Sequence, residues 1–238
     1  MPMVTLQLER HSSFIRATLV AGIVLIAGCM PRRAAVVGPV PDVLGTASLL
    51  QNQTNLEDTI RIIFAWELND AGVRVRGRGV ARVEPPYKAR LDLFLDNGES
   101  VIRAALVDGE LRLPAGAPND ILPPPDLMWG TLGVFRPESD AELVGGDRLD
   151  NGLIRLRYRY LDGTELHYAT ADGVLRKLEM LSDGEVVQWV EVDPDEETRY
   201  PARATYRNLV DFRELKITRQ QLDRVEAYPA DIWDPRAP

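Results

Sequence analysis

The segment 152–193, GLIRLRYRYLDGTELHYATADGVLRKLEMLSDGEVVQWVEVD, decides the fold. Asn151-Gly152 opens it, and Asp162-Gly163, Asp172-Gly173 and Asp183-Gly184 divide it at intervals of ten or eleven residues. Each dipeptide tolerates the positive φ that a type I′ hairpin turn requires at both central positions. Between the turns, apolar and polar residues alternate with the period of a strand that has one buried face. The segment therefore predicts an up-and-down meander with strands at 152–160, 164–171, 174–182 and 185–193.

The same period continues on both sides. Upstream, Ile60, Ile62, Phe64, Trp66 and Leu68 alternate with Arg61 and Glu67. Val73, Val75, Gly77, Gly79, Ala81 and Val83 alternate with Arg74, Arg76, Arg78 and Arg82. Tyr87, Ala89, Leu91, Leu93 and Leu95 then alternate with Lys88, Arg90, Asp92 and Asp96, which predicts an apolar face and a solvated one. Asn97-Gly98 and Asp108-Gly109 add hairpin turns around strands at 100–107 and 110–113, and further strands are expected at 199–207 and 212–223.

Two segments lack this period. Residues 46–57 read as a short helix, and Pro123 to Phe135 as a proline-led turn into a second one. Leu127, Met128, Trp129 and Leu132 make the second helix too apolar for a solvated surface. A sheet this long tends to curl, and a helix laid in its hollow would cover apolar positions that no second sheet covers. The expected fold is mostly β: a curved antiparallel sheet forming an incomplete barrel of about eleven strands, with one or two short helices on the concave side.

The N-terminus carries an address. A polar leader with Arg10 and Arg16 precedes an eleven-residue apolar run, Ala17 to Ala27, too short to span a bilayer and suited to a signal-peptide core. Ile26-Ala27-Gly28-Cys29 follows: a branched apolar residue, two small residues and the sole cysteine, the pattern of a bacterial lipobox. Small side chains admit the backbone to a signal peptidase, and only a thiol forms the thioether to diacylglycerol. Residues 1–28 are thus expected to be a lipoprotein signal peptide, Cys29 the acylated residue, and 29–45 a flexible linker rich in proline and glycine. Residues 46–228 are the domain and 229–238 an irregular tail. Met30, where an Asp commonly marks inner-membrane retention, favours an outer-membrane, periplasm-facing location.

Composition narrows the function. The formal charge is −8; the leader contributes +1 through Arg10, Arg16 and Glu9, so the mature part stands at −9. That balance argues against nucleic acid and leaves membrane attachment to the lipid anchor. No Gly-x-Ser-x-Gly elbow, His-Glu-x-x-His pair or phosphate-binding loop occurs, so neither an enzyme nor a cofactor is expected. His167 reads as a strand histidine, the run Asp193-Pro194-Asp195-Glu196-Glu197 as a turn rather than a metal site, and the arginine rows 74/76/78/82 and 155/157/159 as a solvated face.

Gly77-x-Gly79-x-x-x-Val83-x-x-Pro86-x-x-x-Arg90, then Val107-Asp108-Gly109-x-Leu111, then a short apolar helix ending in Leu132-Gly133-Val134 resemble the LolA/LolB-like lipoprotein-localisation family over residues 48–222. The resemblance implies an incomplete barrel whose hydrophobic cavity accepts acyl chains, with an anchor similar to that of LolB-like members. Those members deliver lipoproteins through an exposed apolar residue on a loop between early strands. Here the corresponding turn, Asp96-Asn97-Gly98-Glu99-Ser100, is wholly polar. On this basis Phe64, Trp66, Leu91, Leu93, Trp129, Leu132, Tyr158 and Tyr168 are expected to line a lipid-binding slot in a monomer, its cargo an acyl chain or lipoprotein anchor. The alternative is a structural or assembly subunit with a filled core.

Overall fold

The computed structural model describes residues 34–117, 121–195 and 197–236. Cys29 and the leader lie outside the described residues. The chain divides into two units, Met1–Ala35 and Val36–Pro238, and every element below belongs to the second.

Thirteen strands form one antiparallel sheet: β1 (Val36–Pro39), β2 (Ile60–Asp70), β3 (Val73–Glu84), β4 (Lys88–Leu95), β5 (Ser100–Val107), β6 (Glu110–Arg112), β7 (Glu142–Leu149), β8 (Ile154–Arg159), β9 (Glu165–Ala171), β10 (Val174–Ser182), β11 (Glu185–Asp193), β12 (Arg203–Asn208) and β13 (Arg213–Arg224). Their order is β1-β7-β8-β9-β10-β11-β12-β13-β2-β3-β4-β5-β6, so β1 and β6 are open edges and the barrel stays incomplete, as the alternation predicts. Two α-helices among the described residues, α1 (Val43–Thr54) and α2 (Pro125–Thr131), complete the regular structure with a 3₁₀ turn at Ala230–Trp233.

The meander meets its expected boundaries to within two residues, but its turns divide into two kinds. Asp108, Asp172 and Asp183 have φ of +53°, +53° and +52°, followed by glycines also at positive φ, as type I′ requires. At Asn97, Asn151 and Asp162 only the following glycine has positive φ. There the side-chain oxygen accepts the N–H two residues on, from Glu99, Leu153 and Thr164, at 3.0, 3.2 and 2.9 Å. These three are type I turns closed by a bulge glycine, a longer connection with the same sequence signature.

Two strands escape the alternation rule. β7 contains Gly145-Gly146 and shifts register between Leu143 and Gly145, which erases its period of two. β1 has four residues, yet it covers the free edge of β7, pairing Val36 with Leu149 and Pro39 with Asp147, and Val40 N–H continues the contact to the Gly146 carbonyl at 2.9 Å. Residues 36–45 are therefore not a flexible linker. Asp42 caps α1 by accepting the Gly45 N–H at 2.8 Å, which starts the helix three residues earlier than expected. Ala47, Leu50 and Thr54, at i, i+3 and i+7, are its buried side.

The convex face also differs from its expectation as a uniformly solvated surface. Arg90 and Asp92 are buried, 3% and 4% exposed, because the C-terminal segment folds back over them. Trp233 packs with Tyr228 and Ile232 on Ala105 and Val107. Arg90 Nη1 donates to the Ile232 carbonyl at 2.9 Å, and its Nε to Asp92 at 3.1 Å. Tyr228 OH donates to the Ile60 carbonyl at 2.8 Å. Residues 228–234 are thus a docked strap rather than an irregular tail. Of the arginine rows, Arg74, Arg76, Arg78 and Arg159 are exposed as the alternation predicts, whereas Arg82, Arg155 and Arg157 are half-buried, the first paired with Asp92 and the other two with Asp147 at 2.7 and 3.2 Å.

Candidate functional site

α2 covers the concave face. Pro125 occupies its first turn, where a missing N–H costs nothing, and Gly133 ends it at φ +74°, where Val134 N–H reaches back to the Trp129 carbonyl at 3.1 Å. Gly130 lets the helix approach the sheet: a Cβ there would stand 3.1 Å from Leu178 Cδ2 and 3.8 Å from Val190 Cβ. Phe135 N–H donates to Thr54 Oγ1 at 3.0 Å, which ties the segment after α2 to α1.

Under α2 lies a cavity of about 70 Å³. Ile62 and Phe64 of β2, Ala81 of β3, Ala89 and Leu91 of β4, and Leu215 and Ile217 of β13 border it from the sheet. Met128, Trp129 and Leu132 border it from α2 and its C-terminal end. Tyr200, Pro201, Arg203 and Arg219 border it at the loop that leads into β12. The room comes from side-chain size, since Ala81, Ala89 and Ala204 stand among larger lining residues such as Ile62, Phe64, Leu91, Leu215 and Trp129. The two glycines of β3 serve a related purpose. A Cβ at Gly79 would stand 2.3 Å from Phe64 Cζ, and one at Gly77 2.9 Å from Trp66 Cζ2, so both rings lie against bare backbone.

Of the eight residues expected to line a slot, Phe64, Leu91, Trp129 and Leu132 border this cavity. Trp66 and Leu93 are buried in the same core without reaching it; Trp66 Nε1 donates to the Arg78 carbonyl at 3.0 Å. Tyr158 and Tyr168 lie elsewhere on the inner face, where they form an edge-to-face cluster with Phe135. The ring centroids are 5.8 Å apart for Phe135–Tyr158, 4.7 Å for Phe135–Tyr168 and 5.7 Å for Tyr158–Tyr168.

Tyr200 and Arg219 are absent from the expected set. Arg219 has the parity of Leu215 and Ile217, which by itself assigns it to the inner face. There Nη1 donates to Thr198 Oγ1 at 2.7 Å and to the Tyr200 carbonyl at 3.0 Å, and Nη2 pairs with Asp195. Asp195 also accepts the Glu197 N–H at 2.8 Å, so the acidic run is bound into its own loop, with Asp193 paired to Arg203 at 2.8 Å. Burial pushes the Tyr200 phenol above its ordinary range. His167 is 2.8 Å from Glu165 on the convex side, and burial holds its imidazole below the usual range.

One polar pair lies beside the aromatic cluster. Tyr160 OH donates to Asp126 Oδ2 at 2.7 Å. Burial raises the Asp126 carboxyl to about 6, opposed by the Tyr160 hydrogen bond and assisted by Glu138. Burial also raises the Tyr160 phenol, as does Asp126.

No protein-family model matches the chain. No curated protein matches it either. Solved structures do. A LolA superfamily protein from Nitrosomonas europaea superposes with a TM-score of 0.57 over 82% of this chain and 98% of its own, at 9% identity. An outer membrane lipoprotein-sorting protein domain from Vibrio parahaemolyticus gives 0.54 over 80% and 97%, also at 9% identity. At that identity the likeness is one of fold, and the fold of Val36–Pro238 is the LolA-like half-barrel to which the glycine and turn motifs point.

Proposed function

We propose that the cavity under α2 receives acyl chains, free or as the anchor of another lipoprotein, and that the protein carries them without covalent chemistry. The supporting observation is the hollow itself. Its lining is almost wholly apolar, alanines keep it open, and it lies on the concave face of a fold shared with lipoprotein-sorting domains. Each methylene moved from water into such a lining gains about 0.8 kcal/mol, and transfer between two apolar sites then runs downhill by the difference in burial. Acylation at Cys29 would hold the domain at the periplasmic side of the outer membrane; the chain has no other cysteine.

A volume of about 70 Å³ favours a second reading. Liquid water takes about 30 Å³ per molecule, so the hollow as it stands has room for only a few groups of that size. Either α2 moves when cargo enters, or the interior is a filled core and the protein an assembly subunit.

Photo-crosslinking in living cells separates the two. With p-benzoyl-phenylalanine replacing Leu91, the carrier reading expects a lipid or acyl-peptide adduct on the peptide that carries residue 91. The same replacement at Leu156, under the aromatic cluster, gives none. Adducts to protein only, at both positions, would establish the subunit reading. Metabolic labelling with an alkyne fatty acid tests the anchor: Cys29→Ser should lose the label and the membrane fraction together.

A further inference from the structure

Residues 36–56 depart from the rest of the chain in charge. Across the protein 27% of residues are charged, whereas this segment holds one, Asp42, whose carboxylate accepts the Gly45 N–H at 2.8 Å as the cap of α1. The segment forms the edge strand β1 and the helix α1. Ala47, Leu50 and Thr54 bury one side of α1, and the side left to solvent carries Leu44, Ser48, Leu49 and Asn52. Val36, Val37, Leu44 and Leu49 are each more than half exposed. Val36 pairs with Leu149, and Leu49 borders the Asn151-Gly152 turn just beyond it, so strand and helix present these residues around the β7–β8 turn. Large apolar side chains grouped on a surface without charge mark a place that something covers.

We infer that this face of β1 and α1 rests on the bilayer that holds the acyl chains of Cys29; the inference rests on the anchor reading above. Chain length selects the occupant. Seven residues lead from Cys29 to Val36, and a fully extended chain of that length spans at most about 25 Å. The start of β1 is therefore kept within about that distance of the lipid. A second exposed apolar group, Leu209, Val210 and Phe212, lies at the β12–β13 turn. Antiparallel pairing puts that turn at the opposite end of the strands: β1 begins beside Leu149, at the end that holds the turns at 151–152 and 172–173, whereas the β12–β13 turn shares its end with those at 71–72 and 162–163. β13 alone, with twelve residues, spans about 40 Å, so the tether favours β1 and α1 over Phe212. The side chains agree, since valine, leucine, serine and asparagine enter a headgroup region without stripping water from a charge. The loop that leads into β12 and borders the cavity is at the same end as the start of β1, so docking turns that border of the cavity toward the bilayer.

Fluorescent labels on the full acylated chain test the orientation. Acylation consumes the thiol of Cys29, so a nitrobenzoxadiazole maleimide reacts only with an introduced cysteine, and the intact mass reports the acyl groups. In vesicles of phosphatidylethanolamine and phosphatidylglycerol, labels on Val37→Cys and Leu49→Cys should emit further to the blue than labels on Leu161→Cys and Phe212→Cys, two exposed positions at the far end of the strands. Lipids with a nitroxide high on the acyl chain should dim the first pair at least about twofold and leave the second pair unchanged, because an interfacial face sinks only to the boundary between headgroups and chains. Leu44→Glu combined with Leu49→Glu should reduce the quenching at residue 37 to the level at residue 161 while the protein stays in the vesicle fraction through its lipid. Unquenched labels at 37 and 49 on a chain whose mass shows the acyl groups overturn the orientation and leave this face to a protein partner. So does quenching at residue 212 equal to that at 49, or quenching at 37 that survives both glutamates. A chain without the acyl mass refutes the anchor, and the orientation falls with it.

Discussion

The two halves of the concave face differ in side chains rather than in backbone. Across β8–β11 the inner positions hold Leu156, Tyr158, Leu166, Tyr168, Leu175, Leu178 and Val190, which close against Phe135 and Gly130. Across β12, β13 and β2–β4 the positions of equal rank include Ala204, Ala81 and Ala89, and a cavity remains. Both halves obey the same alternation and belong to the same sheet. The difference teaches that one half carries the stability of the interior while the other gives up packing for space. A core residue in the filled half touches neighbours on every side, whereas those around the cavity lack partners on one.

The sharpest test of that division removes a ring from the filled half. Tyr168 is fully buried and touches both Phe135 and Tyr158. Tyr168→Ala should lower the unfolding free energy of the full chain by about 3–5 kcal/mol, read from the urea midpoint. A loss below about 1 kcal/mol would mean that this half is as loosely packed as the other.

Adding volume should then separate the halves by sign of tolerance. Leu156, fully buried in the filled half, has no room for a larger ring, and Leu156→Phe should cost about 1–3 kcal/mol. Ala89→Leu grows into the cavity and should change stability by less than about 1 kcal/mol while reducing the lipid adduct at residue 91 at least about tenfold. Equal destabilisation by both would erase the distinction, and a stable Ala89→Leu that keeps its adducts would move the binding site elsewhere.

How far this division is legible in the sequence depends on which interaction sets each feature. Strand parity assigns Phe64, Leu91, Trp66, Leu93, Tyr158 and Tyr168 to one face, because side-chain direction in a strand is local. It cannot say which of them surround a void, since that depends on Ala81 and Ala89 of the β3–β4 hairpin meeting Ala204 of β12, more than a hundred residues away in sequence. Parity does assign Arg219 inward beside Leu215 and Ile217, and an arginine there signals a polar margin to the apolar floor. Arg90 and Asp92 carry the opposite lesson. Their parity marks them as solvated, but the strap of residues 228–234 buries them, a tertiary event that no local period contains. β1 and β7 are illegible for a third reason: glycine, proline and register shifts remove the period itself.

The smallest effect concerns a single oxygen in the filled half. Tyr168 OH is buried and makes no hydrogen bond to another protein group. Its neighbourhood contains Asp126, Tyr158, Tyr160 and Glu138, and burial drives its phenol far above the ordinary range, so it is neutral at every pH of interest. A neutral hydroxyl stripped of water and left unpaired costs roughly 1–3 kcal/mol, whereas the ring around it contributes through contacts that phenylalanine keeps. Tyr168→Phe should therefore raise the unfolding free energy by roughly 1 kcal/mol, opposite in sign to Tyr168→Ala at the same site. If the filled half owes its stability to close-packed rings, removing the hydroxyl strengthens it. If Tyr168→Phe instead destabilises the chain, the oxygen has a partner in solution, and this half is a polar network rather than a dry core.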